Sequence, residues 1–306
     1  MSMPAPRTGR ARDRVLTMRG IGKHFGAVKA LSGVDFWVDE GEVVARVGDN
    51  GAGKSTLVKV LSGVHAPDAG TIEFDGDAVE IHTPADAQEL GIATVFQDLA
   101  LCDNLDVVAN LWLGRELVAE GMLDEVGMEE RTWTLLRELS AKVPSVRIPV
   151  ASLSGGQRQT VAIARSLIGE PRVIILDEPT AALGVAQTAE LLNLIERLRE
   201  RGHGVVLISH NMADVMAVAD RVVVLRLGRN NGEYNVADIT SETLIAAITG
   251  ATDITMRRMV EDAARKHPAS LPESDADEAP AGIIRLTDGR TKEGRARRGP
   301  RGQGGA

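Results

Sequence analysis

The segment Gly48-Asp49-Asn50-Gly51-Ala52-Gly53-Lys54-Ser55-Thr56 restricts what this chain can fold into more than any other. Two glycines with four residues between them, followed by Lys and Ser, make the phosphate-binding loop pattern, which requires a strand before the loop and a helix after it. Both are readable: Val43–Val47 is an apolar run broken only by Arg46, and Lys54–Leu61 is helix-like. Gly48, Gly51 and Gly53 permit torsions and close backbone approaches that a Cβ would obstruct. Backbone N–H groups then converge on phosphate oxygens, and the start of the helix adds partial positive charge. In that arrangement Lys54 bridges the β- and γ-phosphates of a nucleotide, the Ser55 hydroxyl ligates Mg2+, and Thr56 is in place for the α-phosphate.

From Val15 to about Gly250 the patterning is continuous. Strand-like runs at Val43–Val47, Ala93–Gln97, Val173–Leu176, Val205–Ser209 and Val222–Leu225 alternate with helix-like stretches at Lys54–Leu61, Gln157–Ile168, Thr188–Arg201 and Met212–Ala219. Val- and Ile-rich strands that are apolar at consecutive positions and separated by helices predict a parallel sheet covered on both faces. Right-handed crossovers follow. Residues from about 101 to 165 carry helical patterning at Val107–Leu117 and Glu129–Leu139 and no clear strand, which predicts a helical insertion. Residues 1–13, rich in Pro, Arg and Gly, predict a disordered leader, and residues 251–306 predict one more helix at Ile254–Arg265 and then a disordered tail. The basic end of that tail is a solvated terminus or a contact for anionic lipid or RNA.

Two further segments carry chemistry. Val173-Ile174-Ile175-Leu176-Asp177-Glu178 is an apolar strand ending in two carboxylates. Asp177 is suited to hold Mg2+, directly or through water. Glu178 aims elsewhere and is suited to polarise a water attacking the γ-phosphate. His210 follows the apolar strand Val205–Ser209, at the end where ligands bind in such sheets; it contacts the γ-phosphate and the attacking water, or it is structural. The other five histidines have no such context.

Leu153-Ser154-Gly155-Gly156-Gln157 precedes a helix and forms a second anion-binding helix start. With this segment, the phosphate loop and the Asp177-Glu178 strand in that order, the chain resembles the nucleotide-binding subunit of an ATP-binding cassette (ABC) transporter over about residues 15–250. The resemblance implies an α/β P-loop NTPase fold: a RecA-like parallel sheet with an N-terminal antiparallel β portion, plus a helical subdomain at about 101–165. It implies that Phe25 stacks on adenine, with a core Phe as the alternative. It implies that Gln97 joins the Mg2+ shell and links the ATP site to the helical subdomain. Ser154, Gly155, Gly156 and Gln157 would bind the γ-phosphate held by a second copy, so two chains would sandwich two ATP molecules head to tail. Phe96-Gln97-Asp98-Leu99, Asp177-Glu178-Pro179-Thr180-Ala181-Ala182-Leu183-Gly184 and Asp220-Arg221-Val222 resemble sugar importers of the ribose/xylose/fructose type, here as a single cassette with no internal repeat. The implied partners are a membrane permease, docked on Asp98–Gly114, and indirectly an extracytoplasmic sugar-binding protein.

The chain departs from the family at Gly184, where an Asp is usual, and at Arg46, a cation in an apolar strand that needs a carboxylate partner or a solvated face. Composition narrows the rest. A net charge of −8 disfavours a broad nucleic-acid surface, and a single cysteine, Cys102, excludes an intrachain disulfide. No apolar stretch approaches the roughly 20 residues of a membrane span. A peripheral protein on the cytoplasmic face of the membrane is expected. The alternatives are an ABC ATPase for another transported substrate, one acting on nucleic acid or ribosomes, or an ATP-dependent regulator.

Overall fold

The structure, a computed structural model, describes residues 13–251. The expected leader, the helix at Ile254–Arg265 and the tail lie outside them. Along the chain come β1 (Arg14–Phe25), β2 (Val28–Asp39), β3 (Val43–Val47), α1 (Lys54–Leu61), β4 (Ala69–Phe74), β5 (Asp77–Val79), α2 (Pro84–Glu89), β6 (Ile92–Val95), α3 (Val107–Trp112), β7 (Val118–Ala119), β8 (Met122–Leu123), α4 (Glu125–Glu138), α5 (Gly155–Leu167), β9 (Val173–Asp177), α6 (Val185–Glu200), β10 (Gly204–Ile208), α7 (Met212–Val218), β11 (Arg221–Arg226), β12 (Arg229–Asn235) and α8 (Ser241–Thr249).

The main sheet has six strands in the order β12-β11-β3-β10-β9-β6. All its pairs are parallel except the antiparallel β11–β12 edge. Alternation along each strand sends side chains into two cores. Val43, Ala45 and Val47 of β3, with Ile174 and Leu176 of β9, join a core built with α3 to α8. Val44 of β3 and Val173 and Ile175 of β9 join a second core with α1 and the sheet of β1, β2 and β4. Burial on both faces explains why these strands read as unbroken apolar runs. The covering helices carry one apolar face: Leu191, Leu194, Ile195 and Leu198 of α6 are all buried, at the spacing of a single helical stripe.

The antiparallel β portion is a four-stranded sheet, β2-β1-β4-β5. Register shifts interrupt the β1–β2 pairing between Met18 and His24, and Gly20 and Gly33 take positive φ there. Between β6 and β9 lie α3, α4 and α5, and two details differ from the expected helical region. The segment Val107–Leu117 is helical only to Trp112, and β7 and β8 form a hairpin where no strand was expected. The hairpin turn places Glu120 (φ 52°) and Gly121 (φ 80°) in the left-handed region, the geometry of a two-residue type I′ turn. The boundary at 165 also falls inside α5, whose last residues pack against the main sheet's core.

Arg46 lies on β3 with 0% exposure, so its face is not solvated, and among the described residues no carboxylate pairs with it directly, although the Glu233 charge acts on it from nearby. Its Nη2 donates to Asn230 Oδ1 at 3.3 Å, and its guanidinium sits 5.2 Å from the centroid of the Phe36 ring. Among the described residues, Nε and Nη1 have no hydrogen-bond partner. Burial, with Arg221 nearby, pulls its pKa down to about 9. Arg221 is satisfied: it donates to both carboxylate oxygens of buried Glu42 at 2.8 and 3.1 Å, to Glu233 at 3.1 Å and to the Trp37 carbonyl at 2.9 Å. Asp220 accepts from the Val43 amide at 2.9 Å. The Asp220-Arg221 pair therefore ties β11 to the start of the strand that feeds the phosphate loop.

Candidate functional site

Parallel pairing brings the strand ends together. Ile208 of β10 is in register with Arg46 of β3 on one side and Asp177 of β9 on the other, and Val95 of β6 with Leu176. The loop after β3, the carboxylates of β9, His210 after β10 and Gln97 after β6 therefore emerge from one edge of the sheet.

The loop Gly48–Gly53 packs its backbone closely against β11 and β2. A Cβ at Gly48 would stand 2.2 Å from the Leu225 carbonyl oxygen, and one at Gly53 would stand 2.6 Å from that of Ala30. Gly53 is also the N-cap of α1 and offers no side-chain acceptor, so the first N–H groups of α1 stay open for an anion. Lys54 is nearly buried and donates to the Gly48 carbonyl at 2.7 Å and the Asp49 carbonyl at 3.0 Å. Its ammonium is thus held over the cradle. Ser55 is exposed on the first turn of α1. Asp49, Asn50 and Gly51 form the exposed rim, Thr56 follows half-buried, and Ala52 packs inward.

Asp177 and Glu178 have separate environments. Burial, then the neighbouring Glu178 charge, raises the Asp177 pKa, and the Lys54 charge opposes that shift. A half-buried carboxylate facing an ammonium and a second carboxylate suits a divalent cation, and the donor set Ser55, Gln97 and Asp177 is all oxygen, as Mg2+ requires. Glu178 has φ 49°, a strained conformation for a non-glycine residue and one that gathers at functional sites. Its amide donates to the Ile208 carbonyl at 2.9 Å, which turns its side chain toward β10. There Glu178 Oε2 lies 3.4 Å from His210 Nδ1. The two residues singled out for the attacking water are therefore neighbours.

Phe25 ends β1 and is 44% exposed, so it is not a core residue. Its ring meets His65 edge-on at 5.2 Å, and Lys23 Nζ lies 5.7 Å from its centroid. His65, which had no sequence context, is thereby a neighbour of the expected adenine platform. Nothing in the sequence marks a contact between residues so far apart.

The second anion-binding start is regular. Ser154 caps α5 by accepting from the Gln157 amide, and the Gln157 side chain accepts from the Ser154 amide, a capping box. The helix begins at Gly155, two residues earlier than its sequence pattern suggests. Gly156 packs on Gln187, where a Cβ would approach within 3.1 Å. A groove of about 490 Å3 runs between Gln97, Gly155, Arg158, Glu178 and Leu183. Ser154, Gly184 and Val185 are exposed, Val185 at 91%.

The expected dock divides. Val107, Val108, Leu111 and Trp112 are core residues, whereas Phe96, Leu99 and Leu113 line a groove of about 400 Å3 with Arg115 and Arg165. Asp106 caps α3 by accepting from the Ala109 amide. Among the described residues no helix is long and apolar enough to cross a membrane.

Comparison with known proteins bears on the family and the fold. The family model described as ABC transporter matches residues 31–181. The chain is 43% identical over 249 residues to the xylose/arabinose import ATP-binding protein of Sulfolobus acidocaldarius, covering 80% of this chain and 99% of that one. It is 43% identical over 251 residues to the fructose import ATP-binding protein of Rhizobium meliloti, covering 79% and 96%. A ribose import ATP-binding protein of Rubrobacter xylanophilus is 44% identical over 236 residues, 77% of this chain but 47% of that longer protein. Among solved structures, the ADP conformation of an ABC transporter cassette superposes with a TM-score of 0.66 at 26% identity, covering 77% of this chain and 95% of that one. A dimeric cassette in a post-hydrolysis state, bound to ADP and Pi, superposes with a TM-score of 0.62 at 25% identity, covering 72% and 98%.

Proposed function

Because this chain belongs to the family of ABC transporter ATP-binding proteins, we propose that it is the ATP-hydrolysing subunit of a monosaccharide importer, driven by closure and opening of a homodimer. The observation that carries the catalytic part is the Glu178–His210 pair at 3.4 Å, on the sheet edge that also presents the Lys54 loop. The loop amides and Lys54 bind and orient the triphosphate. Phe25, exposed at the end of β1, stacks on the base. Glu178 orients the attacking water and takes its proton, and His210 holds Glu178 and the γ-phosphate side of that water. Mg2+ held by Ser55, Gln97 and Asp177 would neutralise charge between the β- and γ-phosphates.

Ser154, Gly155, Gly156 and Gln157 complete the site of a second copy, and exposed Val185 lies on the seam between copies. Each γ-phosphate then gains ligands from two chains, which closes the dimer; loss of that bridging charge opens it. Gly184, where the family has Asp, removes one polar group from that seam. The groove lined by Phe96, Leu99 and Leu113 receives a membrane permease and places the subunit on the cytoplasmic face of the membrane. A separate extracytoplasmic protein selects the sugar. A net charge of −8 supports this reading over one acting on nucleic acid.

Two measurements test the proposal. Glu178→Gln should bind ATP, dimerise and lose nearly all turnover; retained turnover removes Glu178 from the catalytic role. ATPase activity with the neighbouring permease in lipid should rise with one monosaccharide and its binding protein. Indifference to permease and sugar would leave the ATPase and sink the importer.

A further inference from the structure

The loop that follows Gln97 is held in an unusual way. Ala100 takes φ 48°, in the left-handed region, and its amide donates to Asp98 Oδ1 at 3.1 Å. Both consecutive carbonyls of this turn accept from a single residue of α5: Arg165 Nη2 donates to the Leu99 oxygen at 2.7 Å and Nη1 to that of Ala100 at 2.8 Å. Arg165 is half-buried, and burial pulls its pKa below the ordinary guanidinium value. Two short charge-assisted bonds to neighbouring carbonyls are the strong, geometrically specific use of a guanidinium fork. They fix a strained turn that would relax if unheld.

The position of Arg165 on its helix gives this clamp a consequence. α5 begins at Gly155, next to capping residue Ser154, and Arg165 lies ten residues on, about 15 Å along the axis at the helical rise. One rigid helix therefore holds, at its start, the segment offered to a partner's γ-phosphate and, near its end, the loop of the Gln97 that serves this chain's own nucleotide. We infer that Arg165 is a positioning residue that couples the two ATP sites of the dimer, passing the position of the Gln97 loop at one site to the Ser154–Gly156 helix start at the other. The inference rests on the dimer reading above.

The test compares Arg165→Ala and Arg165→Lys with the unsubstituted chain, alone and in the Glu178→Gln background. For the unsubstituted chain the Hill coefficient for ATP should approach about 2, the number of sites. Arg165→Ala should bring it toward 1 and weaken ATP-dependent dimerisation in the Glu178→Gln background about tenfold, within the range usual for site-to-site coupling. Binding of a fluorescent ATP analogue to the monomer, measured at dilution, should stay within about twofold. Arg165→Lys, which keeps the charge but cannot span two carbonyls, should recover only part of the loss. Unchanged dimerisation and Hill coefficient in Arg165→Ala, or equal loss of monomer binding and dimerisation, would overturn the inference and leave a purely structural clamp. If the Glu178→Gln chain itself stays monomeric with ATP, the dimer reading fails first and the coupling fails with it.

Discussion

Replacing Arg46 by Met should make this protein more stable, not less. The argument starts from a guanidinium at 0% exposure whose Nε and Nη1 have no partner among the described residues. Each buried unsatisfied donor costs about 1–3 kcal/mol. Against this stand one long hydrogen bond to Asn230 at 3.3 Å and the Phe36 ring at 5.2 Å, worth about 1 and up to about 2 kcal/mol respectively. Met fills a similar volume and keeps a favourable contact with the ring. The net gain expected is about 1–3 kcal/mol, in line with other replacements of buried charge by apolar side chains. For a domain of this size that corresponds to a rise in Tm of roughly 2–12 °C. Urea unfolding gives the free energy and calorimetry the Tm, both without nucleotide. ATPase activity, measured in parallel, should stay within about twofold, because the contacts of Arg46 are with Asn230 of β12 and Phe36 of β2, neither of them a residue of the nucleotide site. A loss of 1 kcal/mol or more would refute the reasoning and show that the guanidinium is fully satisfied in solution.

Other substitutions test other parts of the structure. Phe25→Ala should raise the KM for ATP about tenfold with kcat little changed, since base stacking is worth about 1–3 kcal/mol and acts equally in ground and transition states; steady-state kinetics decide, and a kcat loss would assign Phe25 a different role. Glu42→Ala should cost about 3 kcal/mol in urea unfolding, the low end for breaking a buried pair, because Arg221 keeps Glu233 and the Trp37 carbonyl. His203 has its pKa lowered, chiefly by burial. The folded state therefore resists its protonation, and stability is present above the ordinary histidine pKa and lost as pH falls below it. His203→Gln should flatten the acid side of the stability–pH curve below pH 6.5; an unchanged slope would place the acid sensitivity elsewhere.

What the sequence revealed depended on how local the cause was. The phosphate loop was legible because its glycines and the flanking strand and helix are contiguous, and the parallel sheet because burial on both faces writes apolar residues at consecutive positions. The Asp177-Glu178 turn was legible for the same reason, and parallel register then set it beside His210. The antiparallel sheet was harder to read from period-two patterning, because shifts between Met18 and His24 break the alternation. The β7–β8 hairpin has strands of two residues, too short to show any period. Arg46 gave its burial away but not its neighbours: Asn230 and Phe36 come from β12 and β2. Phe25 with His65, and Arg165 with Leu99 and Ala100, are contacts across long stretches of chain that no local pattern records.

The two margins of the main sheet decide how copies of this chain can meet. On one side β12, Arg229-Asn230-Asn231-Gly232-Glu233-Tyr234-Asn235, runs antiparallel and is polar along nearly its whole length. On the other, β6 has only four residues. Short or polar borders give an incoming strand little to zip onto. Copies of this chain are thus turned away from open-ended stacking of their sheets, which would not readily release. In the proposed dimer that leaves the nucleotide-binding edge, with the starts of α5 and α6, as the contact, which can be made and unmade with each nucleotide.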